Sequence, residues 1–145
     1  MRAAIVRTPL DASSLLAEVA SLANGASVVF IGTVREVNDG RAVSGIEYAA
    51  YEGMAARELE SIVSEAASRF DTHDIVVEHR IGALGLGDAS VVIAVAHAHR
   101  APAYEASRFV IEELKRRVPI WKREQYVDGT REWIDPTAPR TEVVR

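Results

Sequence analysis

Hydrophobic positions along the chain switch between two periods, and the switches mark its elements. Leu59, Ile62, Val63, Ala66, Ala67 and Phe70 recur three and four residues apart, opposite Arg57, Glu58, Glu60 and Glu65. That stripe predicts an amphipathic helix over Ala55 to Phe70, packed on a sheet. A second helix starts near Pro102, carries Ala103, Ala106, Val110, Ile111, Leu114 and Val118 on one side, and must end before Pro119. Proline suits a first helical turn, where an N–H would be unpaired anyway, and breaks a helix further in. A third, shorter helix follows Asp11, with Leu15, Leu16, Val19 and Leu22 at helical spacing and Asn24-Gly25 as its stop.

Elsewhere the pattern is that of strands. Ser27 to Val34 is β-branched and aromatic, Val43 to Tyr51 alternates in part, and Asp74 to Ile81 forms the next strand. Ser90 to Ala98 is apolar at both parities, as a central strand covered on two faces should be. Ile120 to Val127 and Arg131 to Ile134 flank Asp128-Gly129-Thr130, a hairpin signal. Arg35 to Arg41, with Asn38-Asp39-Gly40, reads as a polar loop, and Gly82 to Asp88 as a glycine-rich turn. The order and the short connections predict one α+β domain over residues 1–145, with a largely antiparallel sheet, three helices and a C-terminal β-hairpin. The tail after Pro136 is expected to be frayed or dependent on a partner.

Composition narrows the setting. The 145 residues include no cysteine, which excludes a disulfide scaffold, a thiolate metal site and a cysteine nucleophile. No window approaches the ~20 apolar residues of a membrane helix, and the first residues lack the apolar core of a signal peptide. A soluble, cytoplasmic protein is expected. The net charge of −4 argues against a general nucleic-acid binder. Yet His97 to Arg123 holds seven Lys/Arg against three Glu, a local excess that would draw a small anion.

Several residues in or near that stretch could carry chemistry. His99-Arg100 ends a buried strand just before a helix begins, which makes either an anion seat or a surface charge beside a satisfied histidine. His97 and His99 share a strand face, with His79 as a third candidate metal ligand, but no carboxylate stands at ligand spacing. Lys115 borders the apolar stripe of its helix. It is either a sheltered amine beside Arg116 and Arg117, activated by a lowered pKa, or a snorkelling surface lysine. In Pro119-Ile120-Trp121-Lys122-Arg123-Glu124, the cations line a ligand wall or lie on an exposed strand. Gly32-Thr33-Val34-Arg35 places a second arginine at a strand end, as Arg100 is placed. Gly85-Leu86-Gly87 lacks the third glycine and helix start of a dinucleotide fingerprint.

Taken in order, these segments resemble the molybdopterin synthase large-subunit family. The likeness runs through Val28-Val29-Phe30-Ile31-Gly32-Thr33-Val34-Arg35, Ile46-Glu47-Tyr48, Tyr51-Glu52-Gly53-Met54-Ala55 and His79-Arg80-Ile81-Gly82 with Gly87-Asp88. It continues through Val95-Ala96-His97-Ala98-His99-Arg100 and Lys115 to Glu124, covering about Val28 to Trp133. The resemblance implies an α/β-hammerhead type of fold and a homodimer within a heterotetramer. The partner it implies is a small ubiquitin-like sulfur carrier with a C-terminal thiocarboxylate. The implied substrate is a cyclic pyranopterin monophosphate, converted to the molybdopterin dithiolene without a cofactor or metal. By position Lys115 and Lys122 match the family's catalytic lysines. Thr33, Val34, Arg35, His99, Arg100, Arg123 and Glu124 join them as substrate-binding residues.

Both anions, phosphate and thiocarboxylate, would need the concentrated cations. On this reading Arg35, His99 and Arg100 hold the phosphate and pterin, Lys115 donates a proton or accepts an acyl group, and Lys122 stabilises developing charge. The competing readings are a non-catalytic dimeric module docking a ubiquitin-like tail, and an RNA-binding domain using Arg116, Arg117 and Lys122.

Overall fold

A computed structural model describes residues 1–134; the tail after Pro136 lies outside them. The described chain runs β1 (Arg2–Val6), α1 (Ala12–Val19), β2 (Ala26–Thr33), β3 (Val37–Asn38), β4 (Arg41–Ala50), α2 (Glu52–Phe70), β5 (Ile75–Arg80) and β6 (Gly82–Gly85). It continues with β7 (Ala89–His97), α3 (Arg100–Arg117), β8 (Ile120–Tyr126) and β9 (Arg131–Ile134). The architecture is α+β, as the pattern predicts. One sheet has the order β1-β5-β7-β2 and the other β3-β4-β8-β9, with β6 also on β4.

The central-strand reading of β7 holds in detail. Val91, Ile93 and Val95 join the larger core beneath α2 and α3, while Val92, Ala94 and Ala96 join a smaller one beneath α1. Their alternation follows from the two-residue period of a strand. The second sheet turns Val43, Ile46, Tyr48, Ile120 and Tyr126 inward onto the larger core, so both sheets and two helices share it.

The differences from the expected elements are local. β1 escaped the pattern because its five residues are too few to show a period; it pairs in parallel with β5, beside otherwise antiparallel neighbours. β3 and β6 lie in the segments expected to be a loop and a turn. Both are short pairings onto β4, which supplies ladder partners that the segments alone do not announce. α1 is capped as expected, Asp11 accepting from the N–H groups of Ser13 and Ser14 at 3.1 and 3.2 Å. It stops at Val19, however, and Leu22 is fully exposed beyond it. Asn24 closes the intervening turn by donating to Asp74 at 2.6 Å, anchoring it to the start of β5 instead of prolonging the helix.

β4 is the strand on which the second sheet converges, pairing with β3, β6 and β8. Gly45 is what lets β6 approach: a Cβ there would stand 2.9 Å from the Leu84 carbonyl oxygen, a backbone atom that cannot rotate away. Gly45→Ala is therefore expected to destabilise the protein by about 1–3 kcal/mol through overpacking. Urea unfolding checks it, and an unchanged midpoint would contradict the close approach.

Candidate active site

The C-terminal ends of β2 and α3 meet the inner face of the second sheet around a cavity of about 180 Å³. Phe30, Gly32 and Thr33 come from β2, Arg35 and Asn38 from the segment after it, and Val43, Ile46 and Tyr48 from β4. Ser90 and Val91 come from β7, Lys115 from α3, and Lys122 and Glu124 from β8. Among the described residues three cations and one carboxylate thus border this small cavity.

Strand parity explains which residues of β8 reach it. Ile120, Lys122, Glu124 and Tyr126 face inward, and Arg123 between them faces out. Arg123 donates to Glu47 at 3.1 Å and stacks 5.0 Å from the centre of the Trp133 ring, away from the cavity. Val34 does not reach it either: it is 4% exposed and packs in the core. Its N–H donates to Asp88 and its carbonyl accepts from Gly87, so its backbone is occupied as well.

Glu124 is 1% exposed, so its carboxylate must be satisfied from within the protein. Asn38 Nδ2 donates to both oxygens at 2.7 and 2.8 Å, the Tyr126 hydroxyl donates at 2.9 Å, and Lys122 Nζ lies 3.3 Å away. Burial pushes this carboxyl up, but those donors and the Lys122 charge more than offset it and hold it below the usual 4.5. The same contact, after burial, drives the Tyr126 hydroxyl up to about 12. Tyr48 is likewise raised, by burial first. Asn38 also accepts from Arg35 at 3.0 Å, which ties that arginine to the network.

Asn38, Tyr48, Ser90 and Phe30 were not among the expected site residues. Asn38 was hidden inside an Asn-Asp-Gly turn signal, and the others look like ordinary strand positions.

Lys115 lines the cavity from the last turns of α3 and is exposed, which is the surface-lysine alternative for its burial. His99 and Arg100 are not brought together with it. They border a shallow depression with Gly25, Ala26, Ala98 and Ala101 at the opposite end of β2. Ala26 pairs with His97 and Thr33 with Ala89, so the two ends are separated by seven strand steps, roughly 23 Å at strand rise.

The three candidate metal ligands are split in the same way. His97 accepts the His99 N–H at 2.9 Å, whereas His79 pairs with Val91 near the other end of β7. Among the described residues no cluster of three or more His, Cys, Asp or Glu could hold a metal ion, and no helix is long and apolar enough to cross a membrane.

Residues 5–117 match the family model described as MoaE protein. The chain belongs to the MoaE protein family. It is 43% identical over 124 residues to a molybdopterin synthase catalytic subunit of Neosartorya fischeri, a match covering 86% of the chain and 66% of that relative's length. A crystal structure of molybdopterin synthase from Staphylococcus aureus superposes with a TM-score of 0.85 at 37% identity, covering 90% of this chain and 95% of that one. A complex of subunits 1 and 2 of molybdopterin-converting factor from Helicobacter pylori aligns at a TM-score of 0.70 and 26% identity, over 89% and 87% of the two chains. These MoaE relatives share the α+β fold described above.

Beneath the cavity of this MoaE family member lies a buried titratable group. His79 is 1% exposed, shares a hydrogen bond of 2.9 Å with the Arg80 carbonyl through Nδ1, and meets Tyr48 edge-on at 5.2 Å. Burial, and after it the Lys115 charge, pushes its pKa down to about 4 from 6.5. The unfolded chain therefore takes up this proton before the folded one does. The stability tied to neutral His79 is complete above pH 6.5 and is lost as pH falls toward 4. His79→Phe keeps a ring against Tyr48 and cannot titrate. Relative to that variant, the wild type is expected to lose up to about 3 kcal/mol on acidification through this window. Urea unfolding at several pH values measures it, and identical pH dependence in both proteins would count against a depressed pKa.

Proposed function

We propose that this chain is the catalytic subunit of a cytoplasmic molybdopterin synthase. It transfers sulfur from the thiocarboxylated C-terminus of a small ubiquitin-like carrier to a cyclic pyranopterin monophosphate. The observation that carries the reading is the convergence of Arg35, Lys115 and Lys122 on one cavity. Phosphate and thiocarboxylate are both anions, and placing them side by side requires fixed positive charge where both must sit. The names of the relatives, and the two-subunit complex among the solved structures, support the same chemistry and a small-subunit partner.

The roles follow from placement. Lys122, fixed by buried Glu124 on a strand, suits a stationary charge that stabilises negative charge developing in the transition state. Lys115, exposed on α3 where it lines the cavity, carries an amine suited to donate a proton or accept an acyl group. Arg35 takes the phosphate.

His99 and Arg100 enter this site from a second copy of the chain. β2 is an edge strand of its sheet, and Val29, Phe30 and Ile31 near its middle are exposed at 37%, 37% and 44%. Antiparallel pairing of two such edges about a two-fold axis sets Ala26 of one copy opposite the Thr33 end of the other. The His99-Arg100 corner of each copy then flanks the lysine cavity of its partner. The resulting homodimer, with a carrier at each end, is a heterotetramer.

Mixed with a verified thiocarboxylated carrier and the pterin substrate, the protein is expected to yield the dithiolene product by mass spectrometry; no product would overturn the reading. Lys115→Ala and Lys122→Ala are each expected to lower the rate roughly 10²- to 10⁴-fold while folding and carrier binding persist. For the shared site, Lys115→Ala and Arg100→Ala proteins are unfolded together and refolded. The mixture is expected to recover about a quarter of wild-type activity, because half of each mixed dimer is intact. No recovery would place Arg100 outside the partner's site.

A further inference from the structure

Asn38 occupies a position with more constraint than a turn residue needs. Asp39 and Gly40 after it have φ of 50° and 77°, the two left-handed positions of a type I′ hairpin, and Asn38 pairs with Arg41 across it. The hairpin turns the Asn38 side chain inward. There its two ends meet groups of opposite demand: Nδ2 lies 2.7 and 2.8 Å from the Glu124 oxygens, and Oδ1 is 3.0 Å from the Arg35 guanidinium. A flipped amide would oppose oxygen to carboxylate and NH₂ to guanidinium, so only one orientation is compatible with both neighbours. Glu124 in turn holds Lys122.

We propose that Asn38 is a positioning residue: its amide locks Arg35 to the Glu124–Lys122 pair, so that the two cations face an anionic ligand at a fixed separation. Arg35 is an exposed residue on the segment between β2 and β3, and a long side chain there would otherwise lose rotamer freedom each time it took a phosphate. Anchoring it beforehand shifts that loss to folding, which is the general advantage of a preorganised site. A carboxylate in place of the amide would pair with Arg35 but repel Glu124, and an apolar residue would release Arg35 and strip two donors from a buried charge. An amide meets both demands.

This inference rests on the cavity being the site for the pterin phosphate, and its test separates the two. Calorimetric affinity for the cyclic pyranopterin monophosphate is measured for wild type, Arg35→Ala, Asn38→Ala and the double variant, with thermal melts to confirm folding. Each single substitution is expected to weaken binding roughly tenfold, and the double variant to bind no more weakly than Arg35→Ala, because both act through one contact. Additive losses would overturn the proposal. Independently of any ligand, ¹⁵N relaxation of the Arg35 side-chain Nε is expected to show an ordered group in wild type and a released one in Asn38→Ala. Equal mobility in both would also overturn it. If Asn38→Ala fails to fold, Asn38→Ser, too short to bridge both partners, supplies the same comparison. Failure of the wild type to bind the pterin phosphate would sink the functional reading, while the relaxation measurement would still decide whether Asn38 holds Arg35.

Discussion

A carboxylate that water cannot reach has to be satisfied by the protein, and the Glu124 side chain sets that requirement at the centre of this fold. Removing a charge from water costs several kcal/mol unless donors and an opposite charge replace the lost hydration. The replacements come from three places in the sequence: Asn38 at the β3 end, Tyr126 two residues on along β8, and Lys122 two residues before it. Meeting this one need therefore ties the β3–β4 hairpin to β8. It also leaves a lysine and, through Asn38, an arginine at the wall of the same cavity. Stability and the arrangement of charge at the cavity share a set of contacts here, so the loss of a single donor would be felt in both.

β4 makes that arrangement possible. Because it pairs with β3, β6 and β8, it carries the hairpin that presents Asn38 and the strand that presents Lys122 and Glu124 on one frame. Tyr48 on the same strand closes the floor against His79, whose imidazole is held neutral by burial and by the nearby Lys115. The first sheet contributes from the other side, through the β2 end and Ser90, whose hydroxyl donates to the Gly32 carbonyl at 3.2 Å.

Much of this was legible in the chain. The long helices and β7 announce themselves because their burial is one-sided or complete, and periodicity reports burial. β1, β3 and β6 do not, since segments of two to five residues owe their conformation to ladder partners distant in sequence. The lysines and Arg35 were found by charge and family resemblance. The resemblance groups Arg123 with Lys122, but neighbours on a strand point to opposite faces, and Arg123 does not line the cavity. The resemblance also groups Val34 with Arg35; its side chain packs in the core instead of lining the cavity. The distance from Arg35 to His99 depends on the antiparallel pairing of β2 and β7, which no local signal encodes. Asn38 was overlooked because the residues that make a tight turn are the same residues that make a polar clip.

The position of β2 at the edge of its sheet has a bearing beyond the cavity. Among the described residues no strand pairs with its outer row of N–H and C=O groups, and three consecutive apolar residues stand exposed along it. Such an edge is a template for any extended polypeptide, including unfolded copies of the same protein. The folded single chain thus still presents an edge competent to pair with another extended segment. Concentration, and not only sequence, then bears on how the protein behaves in solution, and a substitution on β2 could act as a solubility defect far from any lysine.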